Sequence, residues 1–173
     1  MAGRALGWAA AALLWAGVAT AQAAWSTYQP PEADFTALFP GAPQAVSQPM
    51  GGMAGAVQRS YTLQSGPEAF NVSVFVYPKG TLPAALSQDQ LDNLVQLFAQ
   101  GSGMRVRIAA TATVAGRTGV EATLDDPETG AVEIFRVVQL GDRIFMIAYG
   151  GEKGTETSPQ ATRFVSSLRL TGK

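Results

Sequence analysis

The sequence predicts a single α+β domain: an antiparallel sheet of about six to seven strands packed by a mid-chain helix and a C-terminal helix. Three observations predict it. Apolar and polar residues alternate in several short runs, one mid-chain run has helical spacing, and a shorter helical run comes near the C-terminal end. All three lie within residues 24–173, which is the length of one ordinary domain.

The first part of this domain has weak signals. We predict an irregular lead-in over residues 24–33, because Pro30 and Pro31 oppose regular structure. Residues 34–39 then predict a short strand. Residues 49–55, with three glycines, predict a flexible connector.

A hairpin follows. Alternation is clear over residues 57–64 and again over residues 70–76, and a Ser65-Gly66-Pro67 turn separates the two runs. Two alternating runs around a short turn predict an antiparallel pair of strands.

The mid-chain helix has the strongest local signals. We predict it over residues 88–100, with Ser87 as the N-cap and Gln90 completing a capping box. The apolar stripe has i, i+3, i+4, i+7 spacing and consists of Leu91, Leu94, Val95 and Phe98. Glycines at 101 and 103 are expected to end the helix.

Four strands are predicted next, over residues 105–114, 119–124, 132–140 and 143–149. In the first, we expect one inner face made of Val106, Ile108, Ala110, Ala112 and Val114. The last strand is apolar on both faces, which predicts a central position in the sheet. Ser158 and Pro159 then begin the C-terminal helix.

The first 23 residues predict a secretory signal peptide. Arg4 gives a positive start, residues 5–19 form an apolar run, and Ala21-Gln22-Ala23 is a small-x-small cleavage site. The run is shorter than the ~20 residues that cross a bilayer. We expect cleavage after Ala23 or after Ala21. No cysteine follows to carry a lipid, so the product should be soluble, periplasmic or secreted, and without a stable membrane anchor.

Missing residue types exclude several kinds of chemistry. The sequence has no histidine and no cysteine, which removes the common zinc, haem and thiol sites and the Ser-His and Cys-His nucleophile pairs. After residue 23 the sequence has 11 basic and 13 acidic residues, which gives a formal charge of −2. The basic residues are scattered along it. Nucleic-acid binding needs a dense cationic patch. We therefore expect no nucleic-acid partner, no cofactor and no catalytic residue.

The order of elements resembles the PsbP-like superfamily, the fold of the photosystem II extrinsic protein and of DcrB-type bacterial envelope proteins. The resemblance is carried by residues 35–41 (FTALFPG), by the mid-chain helix after an early hairpin, and by residues 164–168 (FVSSL). It spans residues 34–170 and implies the fold alone. Metal sites of the plant relatives depend partly on histidine, so no site residue is implied here.

Two groups of residues are weak candidates for metal ligands. Met50 and Met53 carry thioether sulfurs that suit Cu(I), although a mobile loop explains the same glycine-rich stretch. Asp125, Asp126 and Glu128 carry carboxylates that suit Ca²⁺, although a polar turn explains their spacing better.

Arg105 and Arg107 are candidates for partner binding. They are expected on one strand face, with Glu121 and Glu133 opposite on neighbouring strands. Cross-strand ion pairs are the simpler interpretation. The functional alternative is that the two arginines form a patch that binds an anion or an acidic partner.

The export signal, the missing catalytic side chains and the family resemblance together favour a non-catalytic binding or accessory domain of the cell envelope. Its partner would be an envelope protein or a small ligand. The alternatives are a carboxylate-based enzyme or ion-binding protein, and a binder of small hydrophobic ligands between sheet and helix.

Overall fold

The computed structural model describes residues 24–32 and 34–171, and the predicted signal peptide lies outside them. Within the described residues the chain forms ten strands, two α-helices and a 3₁₀ turn at Thr155–Thr157. The strands are β1 (Ser26–Tyr28), β2 (Phe35–Phe39), β3 (Gln44–Pro49), β4 (Val57–Ser65), β5 (Glu68–Val76), β6 (Arg105–Val114), β7 (Arg117–Asp125), β8 (Ala131–Leu140), β9 (Arg143–Glu152) and β10 (Arg169–Leu170). The helices are α1 (Gln88–Ser102) and α2 (Pro159–Val165).

The strands form two antiparallel sheets. The large sheet has the order β3-β4-β5-β9-β8-β7-β6, and the small one has the order β1-β2-β10. Strand β9 is the fourth of seven, which confirms its predicted central position. The predicted α+β class, the hairpin of β4 and β5 and both helices are also confirmed.

The two faces of the large sheet bury two separate cores. On one face, α1 packs its buried Leu91, Val95 and Ala99 against the sheet. On the other, α2 and the small sheet enclose an aromatic core that includes Phe35 and Phe164. Successive side chains of a strand point to opposite faces, so the buried strands are apolar on both sides. We call the two faces the α1 side and the α2 side.

Helix α1 has the predicted N-terminus. Ser87 Oγ accepts a hydrogen bond from the Gln90 backbone N–H (3.3 Å), and Gln90 Oε1 accepts one from the Ser87 N–H (2.9 Å). The helix ends two residues later than predicted, at a C-cap formed by Gly103 in the left-handed region (φ 71°).

Two segments differ from the prediction. The lead-in is not wholly irregular, because residues 26–28 pair with residues 37–39 as β1. Residues 44–49 form β3, an edge strand that was not predicted. Every residue of β3 is exposed, so the segment lacks the apolar alternation that marks a half-buried strand.

The predicted inner face of β6 is also wrong in part. A bulge at Arg107 shifts the register, so that Val106 pairs with Leu124 and Ile108 with Thr123. Side chains after the bulge point to the opposite face from those before it. Ile108 therefore lies 61% exposed instead of buried beside Val106.

Candidate functional site

Within residues 24–32 and 34–171, no helix covers part of the α1 side. Helix α1 packs mainly on β6 and β7, at one end of the large sheet. At the other end, the registers of β3, β4 and β5 bring eight uncharged residues to the same α1 side. We call them the polar face: Gln44, Val46, Gln48, Gln58, Ser60, Thr62, Asn71 and Ser73.

Hydrogen bonds connect most of the polar face. The Oγ atoms of Ser60 and Ser73 lie 3.1 Å apart, and Ser73 Oγ donates to Asn71 Oδ1 (2.9 Å). Asn71 Nδ2 donates to Thr62 Oγ1 (2.7 Å), and Gln58 Nε2 donates to Ser60 Oγ (3.2 Å). Amide and hydroxyl groups bind through hydrogen bonds but do not ionise near neutral pH. The face is therefore suited to binding, not to proton transfer.

A cleft borders this face. Met146 on β9 is the register partner of Ser73 on β5, so the cleft, which Met146 lines, lies one strand away from the polar face. The cleft has a volume of about 260 Å³, and we call it the Glu133 cleft. Its lining residues are Leu97, Phe98, Gly101, Ser102, Leu124, Glu133 and Met146.

Of the residues that the structure describes, Glu133 is the one charged residue that lines the cleft. Burial raises the pKa of its carboxyl group, because the ionised form loses water contacts in an apolar site. Among the described residues, none donates a hydrogen bond to this carboxylate or forms an ion pair with it. A half-buried carboxylate without a partner is an exception to the usual pairing of buried charge.

A larger groove of about 500 Å³ lies on the α2 side, at the start of the described chain. Its charged groups are already engaged. The Arg163 guanidinium lies 4.8 Å from the centre of the Trp25 ring, and Glu68 accepts a hydrogen bond from the Tyr149 hydroxyl (2.7 Å). Each charged group of this groove thus has a contact within the described chain, whereas Glu133 in the cleft has no ion pair or hydrogen bond there.

The two predicted copper ligands have different surroundings. Met50 is half-buried and packs against the core on the α1 side, whereas Met53 is exposed in the turn that follows β3. Within residues 24–32 and 34–171, no three His, Cys, Asp or Glu side chains are placed to hold a metal ion.

The three predicted calcium ligands lie in and beside a turn. The Thr129 hydroxyl and the backbone N–H groups of Glu128 and Thr129 donate to the Asp126 carboxylate and lower its pKa. Asp125 pairs instead with Arg107, which lowers the pKa of Asp125. The carboxylates of Asp125 and Asp126 are thus held by different partners.

The expected partners of the two arginines were wrong. Arg107, displaced by the bulge, pairs with Asp125 and with Glu156 (2.5 Å). Glu121 pairs with Arg136 (2.6 Å) on the α2 side, and Glu133 lies in the cleft on the other side.

Of the two arginines predicted to bind a partner, one is therefore already paired within the chain. The guanidinium of Arg107 is engaged by two carboxylates, and Arg105 is exposed and forms no ion pair within the described residues.

Sequence reasoning missed both the polar face and the cleft. The alternating polar residues of residues 57–64 were visible, but nothing local shows that no helix covers them. Glu133 was identified only as a possible partner of an arginine. The available signal was a glutamate in a mostly apolar strand, whose other polar residues are Arg136 and Gln139.

No protein-family model and no curated protein matches the sequence. Solved structures do match. The solution structure of cyanobacterial PsbP (CyanoP) from Synechocystis sp. PCC 6803 has a TM-score of 0.54 at 13% identity, over 88% of this chain and 96% of that one.

A crystal structure from Bacteroides thetaiotaomicron VPI-5482 has a TM-score of 0.50 at 12% identity, over 85% of this chain and 48% of that one. This chain thus spans about half the length of that protein. Likeness at such identities establishes architecture, not activity. With its order of elements and its match to CyanoP, the chain has a PsbP-like fold.

Proposed function

We propose that residues 24–173 act outside the cytoplasm as a non-catalytic binding domain of the cell envelope, and that a protein partner docks on the polar face. The polar face carries this proposal. Apart from the buried Ser73, its residues present uncharged donors and acceptors across three strands, with exposed Val46 among them. A surface of this kind suits a protein partner, whose interface is typically polar at its rim and sparing in charge.

The edge of the sheet beside this face supports the same proposal. Edge strands are usually protected by charged residues, bulges or proline. Strand β6, at the far edge, has the bulge at Arg107 and two arginines. Strand β3 has no charged residue, and its one such feature is Pro49 at its end. An edge with so little protection is suited to contact with another chain.

We propose a non-catalytic role because of the residues that surround Glu133. A mechanism that uses both a general acid and a general base would need a second ionisable side chain beside Glu133. The other lining residues of the cleft supply a serine hydroxyl and apolar side chains.

Within residues 24–32 and 34–171, neither helix is long and apolar enough to cross a membrane.

Affinity capture from an envelope extract of the source cells, with the exported protein as bait, tests the proposal. We compare the wild type with Thr62→Arg, which places a bulky cation on the exposed part of the polar face. The matched control is Thr113→Arg, which makes the same change at an exposed position of β6. We expect the Thr62 variant to lose the partner and the Thr113 variant to retain it.

Both variants must keep the wild-type circular dichroism spectrum and melting temperature for this comparison to count. Equal recovery by the two variants, or no specific protein recovered by the wild type, would contradict the proposal.

A further inference from the structure

We infer that the Glu133 cleft receives a lysine or arginine side chain of the protein that docks on the polar face. This inference rests on the proposed function and specifies the chemistry of the partner. Its basis is a half-buried carboxylate that no described residue pairs with, in a cleft whose lining begins on the strand next to the polar face.

The electrostatics of the cleft favour a cation. Glu133 supplies a negative charge, and no basic residue among those that the structure describes lines the cleft to neutralise it. Gly101 and Ser102, in the last turn of α1, also line it. The C-terminal end of a helix carries a partial negative charge, and α1 has no basic residue in its last turn. Both features lower the energy of a positive group placed here.

The walls of the cleft favour a cation with an apolar stem. Leu97, Phe98, Leu124 and Met146 supply the apolar surface. Lysine and arginine bury their methylene stems on such surfaces while the charged end finds a polar partner. The ring of Phe98 adds a surface on which a cation is also stabilised.

The size and position of the cleft favour a side chain over a larger ligand. Pockets for drug-sized ligands have volumes of about 300–1,000 Å³, and this cleft has about 260 Å³. Met146 lies directly across from Ser73, so a protein on the polar face reaches the cleft without crossing other elements. One basic side chain at the margin of the interface would then pair with Glu133.

A small-molecule probe tests the chemistry of the cleft without the partner. Hexylammonium is titrated into the exported protein while NMR follows the methyl group of Met146. We expect a saturable change in chemical shift for the wild type with hexylammonium. The affinity should be at least about tenfold weaker for Glu133→Gln with the same probe, and for the wild type with the uncharged probe 1-hexanol; tenfold corresponds to roughly 1.4 kcal/mol. Equal affinities for the wild type and the variant, or for the two probes, would overturn the inference.

Capture from the envelope extract tests the link to the partner. We expect Glu133→Gln to recover at least about tenfold less partner than the wild type, since truncating one side of an interfacial charge pair has effects of that size or larger. The control is Glu121→Gln, the same change on the α2 side, which should recover the wild-type amount.

The possible results separate the two proposals. Loss of the partner with Thr62→Arg but not with Glu133→Gln overturns the cleft inference and leaves the docking face in place. If both variants retain the partner, the proposal that a partner docks on the polar face is overturned, and the cleft inference is overturned with it. Loss with both variants, together with charge-dependent binding of hexylammonium, is the result we expect.

Discussion

Among the charged residues that the structure describes, Asp34 is the most fully buried, at 1% exposed, and its Oδ2 pairs with Arg59 at 2.7 Å. Arg59 also contacts Glu32 (3.3 Å), and the Tyr61 hydroxyl donates to Glu32 (3.1 Å). This cluster ties the segment before β2 to β4. A buried pair adds little net stability when both partners are present, but removal of one leaves a buried charge unpaired.

We expect Asp34→Asn to lower the free energy of unfolding by about 3 kcal/mol, the lower end of the range for such pairs, because Glu32 still partly neutralises Arg59. Urea unfolding at neutral pH measures the change. The comparison is Glu121→Gln, which breaks the more exposed pair with Arg136 and should lower stability by less than about 1 kcal/mol. Similar effects of the two substitutions would show that Asp34 is not the buried anchor described here.

Replacement of Glu133 should raise the stability of the protein at high pH, whereas replacement of Asp34 should lower it. Burial raises its folded-state pKa above the unfolded value, so the folded protein binds the proton more tightly than the unfolded chain does. The resulting stability is present below the unfolded pKa and is lost as pH rises through the folded-state pKa. Glutamine cannot ionise and avoids this loss.

We therefore expect Glu133→Gln to melt at a higher temperature than the wild type at about pH 8, and at the same temperature below about pH 4, where the glutamate is mostly protonated in both states. Thermal unfolding of the two proteins across this pH range measures the difference. A variant that is less stable than the wild type at pH 8 would mean that the ionised carboxylate has a stabilising partner. A residue that weakens the fold is a common feature of a binding site.

At the scale of elements, the close approach of β7 to β8 depends on one glycine. A Cβ atom built on Gly119 would lie 2.2 Å from the backbone oxygen of Val137 and 3.1 Å from Val114 Cγ2. Backbone cannot yield as a flexible side chain can. The same atom built on Gly150, in β9, would lie 3.9 Å from its nearest neighbours.

We expect Gly119→Ala to destabilise the protein by at least about 1–3 kcal/mol, the usual effect of overpacking, and Gly150→Ala to have a much smaller effect. Urea unfolding of both variants measures this. Equal, small effects would mean that β7 and β8 separate easily at this point.

The elements also differ in how far the sequence predicts them. All signals of α1 are local: the cap at Ser87, the apolar stripe and Gly103. Its N-terminus was therefore predicted correctly. Strand β3 has no such signal, since all its side chains are exposed and it exists through pairing with β4. The bulge at Arg107 likewise depends on pairing with β7, and it moved Ile108 to the exposed surface.

The candidate site depends still more on tertiary structure. The alternation of residues 57–64 predicts a polar side of β4, but only the position of α1 shows that no described helix covers this side. Glu133 is isolated because β7, β9 and the end of α1 surround it with apolar side chains. Neither arrangement follows from the residues adjacent in sequence.

At the scale of the whole molecule, the proposed location outside the cytoplasm can be tested by the processing of the chain. When the full chain with a C-terminal tag is expressed in a bacterial host with a periplasm, we expect the periplasmic product to begin at Ala24, or at Gln22 if cleavage follows Ala21. Mass spectrometry of the purified protein identifies its first residue. Unprocessed protein confined to the cytoplasm would contradict the predicted signal peptide.

The central claim is that a partner docks on the polar face, and site-specific photocrosslinking in the source cells tests it most directly. A photoreactive phenylalanine analogue replaces Val46 on the polar face or, as control, Ile108 near the other edge of the sheet; the two are similarly exposed, at 58% and 61%. We predict a discrete protein adduct from position 46 that is absent from position 108 and is reduced by Thr62→Arg. Equal adducts from both positions, or none from position 46, would contradict the claim.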